Sequence, residues 1–186
     1  MNQKISTRRI AMAGLLAALT MVGSHLRITI PVNIGGNTAF HLGNIMCALS
    51  GILLGPWLGG CAAGLGSMLF DMTNPAYISE AWLTFLMKGA YGLAAGLVIR
   101  MGGRSWGYGK ATLAASVGAV TYAVLYLLKS FLNAMIVSGV NADGALIAVM
   151  GKLPATIFNG VVAIIFAPIL AVAIDRALKQ NHLTLE

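Results

Sequence analysis

Residues 146–174 read LIAVMGKLPATIFNGVVAIIFAPILAVAI and carry a single ionisable side chain, Lys152. A helix needs about 20 apolar residues to cross the hydrocarbon of a bilayer. This run is longer than a straight crossing requires, so tilt or a kink is expected, with Pro154 and Pro168 as candidate kink sites. The rest of the chain has the same character. Of its 186 residues, 58% are hydrophobic and 9% charged, against roughly 25% charged in a soluble domain. There are too few charges to cover a water-facing shell, and lipid is the expected solvent.

Five further apolar stretches lie upstream, at roughly 9–27, 40–56, 57–72, 81–100 and 111–137. With the first they predict an all-α membrane protein, one domain over residues 1–186 with six transmembrane helices. The second and third are separated only by Leu54-Gly55-Pro56-Trp57, where Gly and Pro mark a turn. The 23 glycines, many inside apolar runs, suit helices packed backbone to backbone in a membrane. Basic residues alternate with the crossings. Lys4, Arg8 and Arg9 precede the first, Arg100, Arg104 and Lys110 follow the fourth, and Arg176 and Lys179 follow the sixth. The intervening segments hold Arg27, then Asp71 with Glu80, then Asp143. By the positive-inside rule, both termini are expected in the cytoplasm. Arg8-Arg9 before an apolar run also resembles a secretory leader, but a leader precedes a polar domain and here five more apolar runs follow.

Several function classes find no support. The net charge of +7 is spread topologically and forms no basic stripe with interleaved aromatics, so nucleic acid is not an expected partner. Cys47 and Cys61 lie in apolar runs without metal-ligand spacing, and His25, His41 and His182 are scattered; inert thiols and no metal are expected. Gly109-Lys110 and Gly151-Lys152 lack the other residues of a phosphate-binding loop. No catalytic set or cofactor motif is visible, and an enzyme is not expected. Energy for uphill transport has to come from an ion gradient or a partner.

Ionisable residues inside a membrane are costly and are functional candidates. Lys88, Lys129 and Lys152 lie on three different predicted helices, each roughly 10 Å below the outer boundary at 1.5 Å per residue. They are candidates for contact with an anionic or carbonyl-rich ligand reached from outside. Asn133 shares a helix face with Lys129; Thr156 and Asn159 follow Lys152; Thr84 and Tyr91 form a stripe with Lys88. The plainer alternative is that the lysines snorkel to the interface or pair with Asp71, Glu80 or Asp143. Asn33, Gly35, Gly36, Asn37, His41 and Asn44 make a polar first outer loop that could cover a pocket or simply be solvated. Tyr77 and Trp82 could stack on a planar ligand or serve as interfacial aromatics.

On the first predicted helix Ala13, Gly14, Ala17 and Ala18 form a smooth face on which another helix can pack, inside the bundle or on a partner. This feature joins a wider pattern: Ile28-Thr-Ile-Pro31, His41-Leu-Gly43-Asn44, Leu53-Leu54-Gly55-Pro56, Gly64-Leu-Gly66-Ser67 leading to Asp71, and Lys88-Gly89. Together these resemble the substrate-binding S components of energy-coupling factor (ECF) transporters, in particular the riboflavin-type branch. The resemblance departs at Asn44, where an Asp is expected, so no role for a carboxylate is carried over there.

The resemblance implies a subunit of an ATP-driven importer in a bacterial inner membrane that captures a small water-soluble vitamin, precursor or related micronutrient. It implies docking through the alanine face of the first helix onto a transmembrane scaffold (the T component) coupled to two ATPase subunits. It also implies a pocket built from the first outer loop and the last three helices, where the lysines fall. The site expected is Lys88, Lys129, Lys152, Asn133, Asn159, Asn44, His41, Tyr91 and Thr84, with Ala13, Gly14, Ala17 and Ala18 facing the scaffold. The alternative is a stand-alone ion-coupled carrier, which usually carries an inverted repeat; no convincing repeat is visible.

Overall fold

The computed structural model describes residues 6–32, 37–103 and 106–183. Lys4, Asn33, Gly35, Gly36 and Arg104, given roles above in charge topology and in the first outer loop, lie outside these residues.

Six α-helices are present among the described residues: α1 (Thr7–His25), α2 (Gly43–Leu54), α3 (Pro56–Met72), α4 (Ala81–Arg100), α5 (Tyr108–Ile136) and α6 (Ala142–Gln180). Among the described residues, three segments are by length and composition long and apolar enough to cross a membrane, namely Ile78–Arg100, Tyr108–Ile136 and Ala142–Gln180. α6 is one continuous helix through Pro154 and Pro168. It outruns its apolar stretch at both ends. Asn141 caps its start by accepting from the Gly144 N–H at 2.9 Å, and an i,i+4 pair between Lys179 and Asp175 at 2.7 Å supports its last turns.

One expectation needs correction: the chain is not wholly helical. Between α1 and α2 an antiparallel hairpin forms from β1 (Arg27–Pro31) and β2 (Asn37–His41), with Arg27 opposite His41 and Pro31 opposite Asn37. Ile28, Thr29 and Ile30 are β-branched, which favours extended backbone over helix. The hairpin takes the first residues of the second predicted span. α2 is therefore only 12 residues long, about 18 Å against a hydrocarbon thickness of about 30 Å.

Small residues set the packing. The α2–α3 turn depends on Gly55, whose φ of +81° disfavours any side chain, and on Pro56 at the first position of α3. Where α2 crosses α4, a Cβ on Gly51 would stand 2.3 Å from the Gly92 carbonyl oxygen, so the two backbones touch directly. α5 and α6 meet along an alanine seam that includes Ala115, Ala119, Ala163 and Ala167. The antiparallel run of helices leaves two distinct ends. One gathers the hairpin with the facing ends of α3, α4, α5 and α6; the other carries the α2–α3 turn.

Candidate functional site

The hairpin end encloses a cavity of about 400 Å³. Its wall is built from β2, the C-terminal parts of α3 and α5, and the N-terminal parts of α4 and α6. Lys88, Lys129, Lys152, Asn133, Asn159, His41 and Thr84 all line it. His41 and Asn159, 118 positions apart in sequence, are thus brought to one chamber.

The three lysines are held differently. Lys88, 4% exposed, donates to Asn44 Oδ1 and lies 3.8 Å from the centroid of the Tyr122 ring. A buried ammonium needs such partners, and a cation over an aromatic face is attractive. Lys129 is ion-paired with Glu80, so the expected acidic pairing and the expected cavity lining coexist in one residue. Lys152, also 4% exposed, donates to Ser130 Oγ at 3.4 Å and lies 5.8 Å from the Tyr126 ring.

Two expected site residues stand elsewhere. Asn44 is buried behind Lys88 and does not line the cavity; its amide oxygen solvates the amine. Tyr91 is fully buried and off the cavity wall, stacked on Tyr122 at 6.0 Å. It turns toward α5 because Gly118 makes room: a Cβ there would come within 2.6 Å of the Tyr91 ring. Of the aromatics considered as stacking partners, Tyr77 lines the cavity, while Trp82 is 64% exposed and lies outside it.

Asn159 has a structural task. Its Nδ2 donates to the Ala39 carbonyl at 2.7 Å and its Oδ1 accepts from the His41 N–H at 2.9 Å. The side-chain amide thereby pairs with β2 as a neighbouring strand would, and ties the hairpin to α6 over the cavity. His41 accepts the Gly43 N–H at Nδ1, 3.2 Å away. Burial, with the charges of Lys88 and Arg27 nearby, holds its imidazole well below the usual histidine range, so the ring is a neutral acceptor at neutral pH.

Arg27, Asp71, Tyr122 and Tyr126 also line the cavity and were not among the expected ligand contacts. Arg27 donates Nη2 to the Tyr77 hydroxyl at 2.7 Å and stacks over Phe70 and Tyr77. The signal for the tyrosines was present: Tyr122, Tyr126, Lys129 and Asn133 recur at spacings that mark one helix face. With Arg27, four basic side chains share the lining with two acidic ones, Asp71 and Glu80, among the described residues.

The small face of α1 divides. Ala17 is buried against α3, where a Cβ on Gly66 would stand 2.2 Å from its carbonyl oxygen, and it is used inside the bundle. Ala13 is half-buried against the core, whereas Gly14 and Ala18 are exposed. The expectation that all four face a partner is corrected by this packing.

An apolar helix bundle enclosing a polar, cation-rich chamber beneath a hairpin defines a membrane protein with an internal binding cavity. A family model described as "ECF-type riboflavin transporter, S component" matches residues 4–176, nearly the whole chain. The chain belongs to this family of transporter S components, multi-pass membrane proteins that capture a vitamin-type small molecule and partner with a T component and ATPases. It is also 31% identical over 114 residues to a Pyrococcus woesei protein named only "Uncharacterized protein in gap 3'region". That match covers 61% of this chain and 72% of the relative.

Asn159→Leu removes both bonds to β2 while keeping side-chain bulk. Net worths of about 0.5–1.5 kcal/mol per bond predict amide exchange in residues 37–41 faster by about tenfold. Protection in α2 and α4 should stay unchanged. Hydrogen exchange read by mass spectrometry checks this, and unaltered exchange in β2 contradicts the clamp.

Proposed function

We propose that this chain is the high-affinity substrate-capture subunit of an ATP-driven ECF importer, taking a small vitamin, precursor or related micronutrient that bears an anionic group. One observation carries the reading: among the described residues, four basic side chains and two carboxylates converge on a cavity of about 400 Å³. That volume is within the range of small-molecule sites, roughly 300–1,000 Å³. The rings of Tyr122 and Tyr126, stacked on each other at 5.7 Å, add aromatic surface for a planar portion of the ligand. Lys88, Lys129 and Lys152 attract the anionic or carbonyl groups, and Asn133 and Thr84 supply hydrogen bonds. Riboflavin, the ligand in the family's description, is a natural first candidate, but its uncharged ring does not account for the excess of cations. A phosphorylated or carboxylated ligand does.

The proposed topology is six crossings with both ends in the cytoplasm of a bacterial cell. Arg8, Arg9, Arg100, Lys110, Arg176 and Lys179 cluster toward the end away from the hairpin, which supports this orientation under the positive-inside rule. The cavity then opens outward. ATP hydrolysis is left to two ATPase subunits, reached through a T component. The exposed Gly14 and Ala18 on α1 are the small residues available for docking on that component.

Thermal-shift measurement on detergent-purified protein tests the ligand class, because a ligand that binds the folded state stabilises it by mass action. Flavin mononucleotide and other anionic vitamins or precursors are compared with riboflavin. An anionic compound is expected to give the larger shift, and Lys152→Met to weaken its binding by about tenfold or more through loss of a charge-assisted contact. Equal shifts from neutral and anionic compounds, with no effect of Lys152→Met, would contradict the anionic reading. Docking is checked separately. Gly14→Trp or Ala18→Trp is expected to abolish uptake in cells while leaving ligand binding of the purified protein unchanged; normal uptake refutes the α1 contact.

A further inference from the structure

At the end of the bundle opposite the cavity, two guanidinium groups converge on one turn. α2 ends at Leu54, so the last carbonyls of this helix lack helical partners and carry the negative end of its dipole. Arg9, in the first turn of α1, donates Nη2 to the Leu54 carbonyl at 2.6 Å. Arg100 reaches the same turn from α4. Four residues before it, Gly96 presses the α4 backbone so closely onto the turn that a Cβ would stand 2.4 Å from the Gly55 carbonyl carbon. The Arg100 side chain therefore lies against Gly55, whose own Cβ would come within 2.8 Å of Nε and Nη2.

One carbonyl and a partial dipole charge thus face two full positive charges. Among the described residues no carboxylate lies within ion-pair distance of either arginine. Arg9 Nε is buried with no acceptor, and Arg100 is exposed. The surroundings match the headgroup level of a bilayer. Trp57, 77% exposed, follows the turn directly, and Leu97 and Met101 flank Arg100 with exposed apolar side chains.

We propose that Arg9 and Arg100 bind the phosphate of an anionic phospholipid at the α2–α3 turn. The phosphate oxygens accept from the Arg100 fork and offset the repulsion between the two guanidinium groups. The acyl chains lie along the exposed apolar surface beside Trp57 and Leu97. The site is remote from the cavity and does not depend on what the cavity holds.

The test uses the full chain purified in an uncharged detergent and titrated with phosphatidylglycerol, phosphatidylcholine or inorganic phosphate, with melting temperature and native mass spectrometry as readouts. Phosphatidylglycerol is expected to raise the melting temperature saturably and to remain bound, and phosphatidylcholine to do neither. Arg100→Gln, which preserves the Arg9–Leu54 bond, should weaken phosphatidylglycerol binding about tenfold. Arg100→Lys keeps the charge without the fork and should lose several-fold. Arg176→Gln, an exposed charge near the end of α6, should leave binding unchanged. Equal losses at Arg100 and Arg176, or none at Arg100, overturn the site. If the two lipids act alike, the anion assignment falls. If inorganic phosphate alone reproduces the full effect, the occupant is a soluble anion and the lipid assignment is overturned.

Discussion

An ammonium group held below the surface of a lipid-embedded bundle has to be solvated by the protein, and Lys88 imposes that constraint on this molecule. At 4% exposure it does not reach bulk solvent. Its partners come from two other helices, the Asn44 amide from α2 and the Tyr122 ring from α5. Both helices have to approach α4 closely for this to work. Gly51 and Gly92 permit the α2 approach by bringing backbone onto backbone, and Gly118 permits the α5 approach by making room for Tyr91. A charge that would be prohibitive in hydrocarbon becomes tolerable beside a polar chamber, and the small residues between the helices bring its partners within reach.

The same end of the bundle carries the cover. An amide on α6 ties β2 down, and Arg27 reaches from β1 to Tyr77 beyond α3, so two outer segments are fastened around the chamber by side chains. These contacts are made by part-buried donors and acceptors. The opposite end is organised by positive charge around the α2–α3 turn. Under the proposed function this separates the tasks: ligand capture beneath the hairpin, contact with lipid and partner subunits on other surfaces.

Much of this was legible in the sequence. Low charge content and long apolar runs identified a membrane protein, and the helices start and stop near the expected positions. Lys88, Lys129 and Lys152 stood out because a charge in an apolar run is conspicuous, and all three line the cavity. What was missed has physical reasons. Residues 28–39 fall between the predicted spans and read as loop, because each strand is only five residues long and gains its stability from pairing, which a linear pattern conceals. Asn44 and Asn159 have the chemistry of ligand contacts, but the fold turns Asn44 to Lys88 and Asn159 to β2. Tyr91 shares a stripe with Lys88, yet its bulk fits only where Gly118 yields space on a different helix. Ala17 and Ala18 are neighbours of equal size, and only the position of α3 decides which one is buried.

Under the proposed function, the chamber beneath the hairpin captures a small anionic molecule. An experimental structure of the purified chain, saturated with the compound that stabilises it most, tests this directly. Density for that compound is expected among Lys88, Lys152, Tyr122 and Tyr126, with its anionic group within hydrogen-bonding distance of at least one of these lysines and the hairpin closed over it. Density for the compound at any other surface, with the chamber empty at saturation, would contradict it.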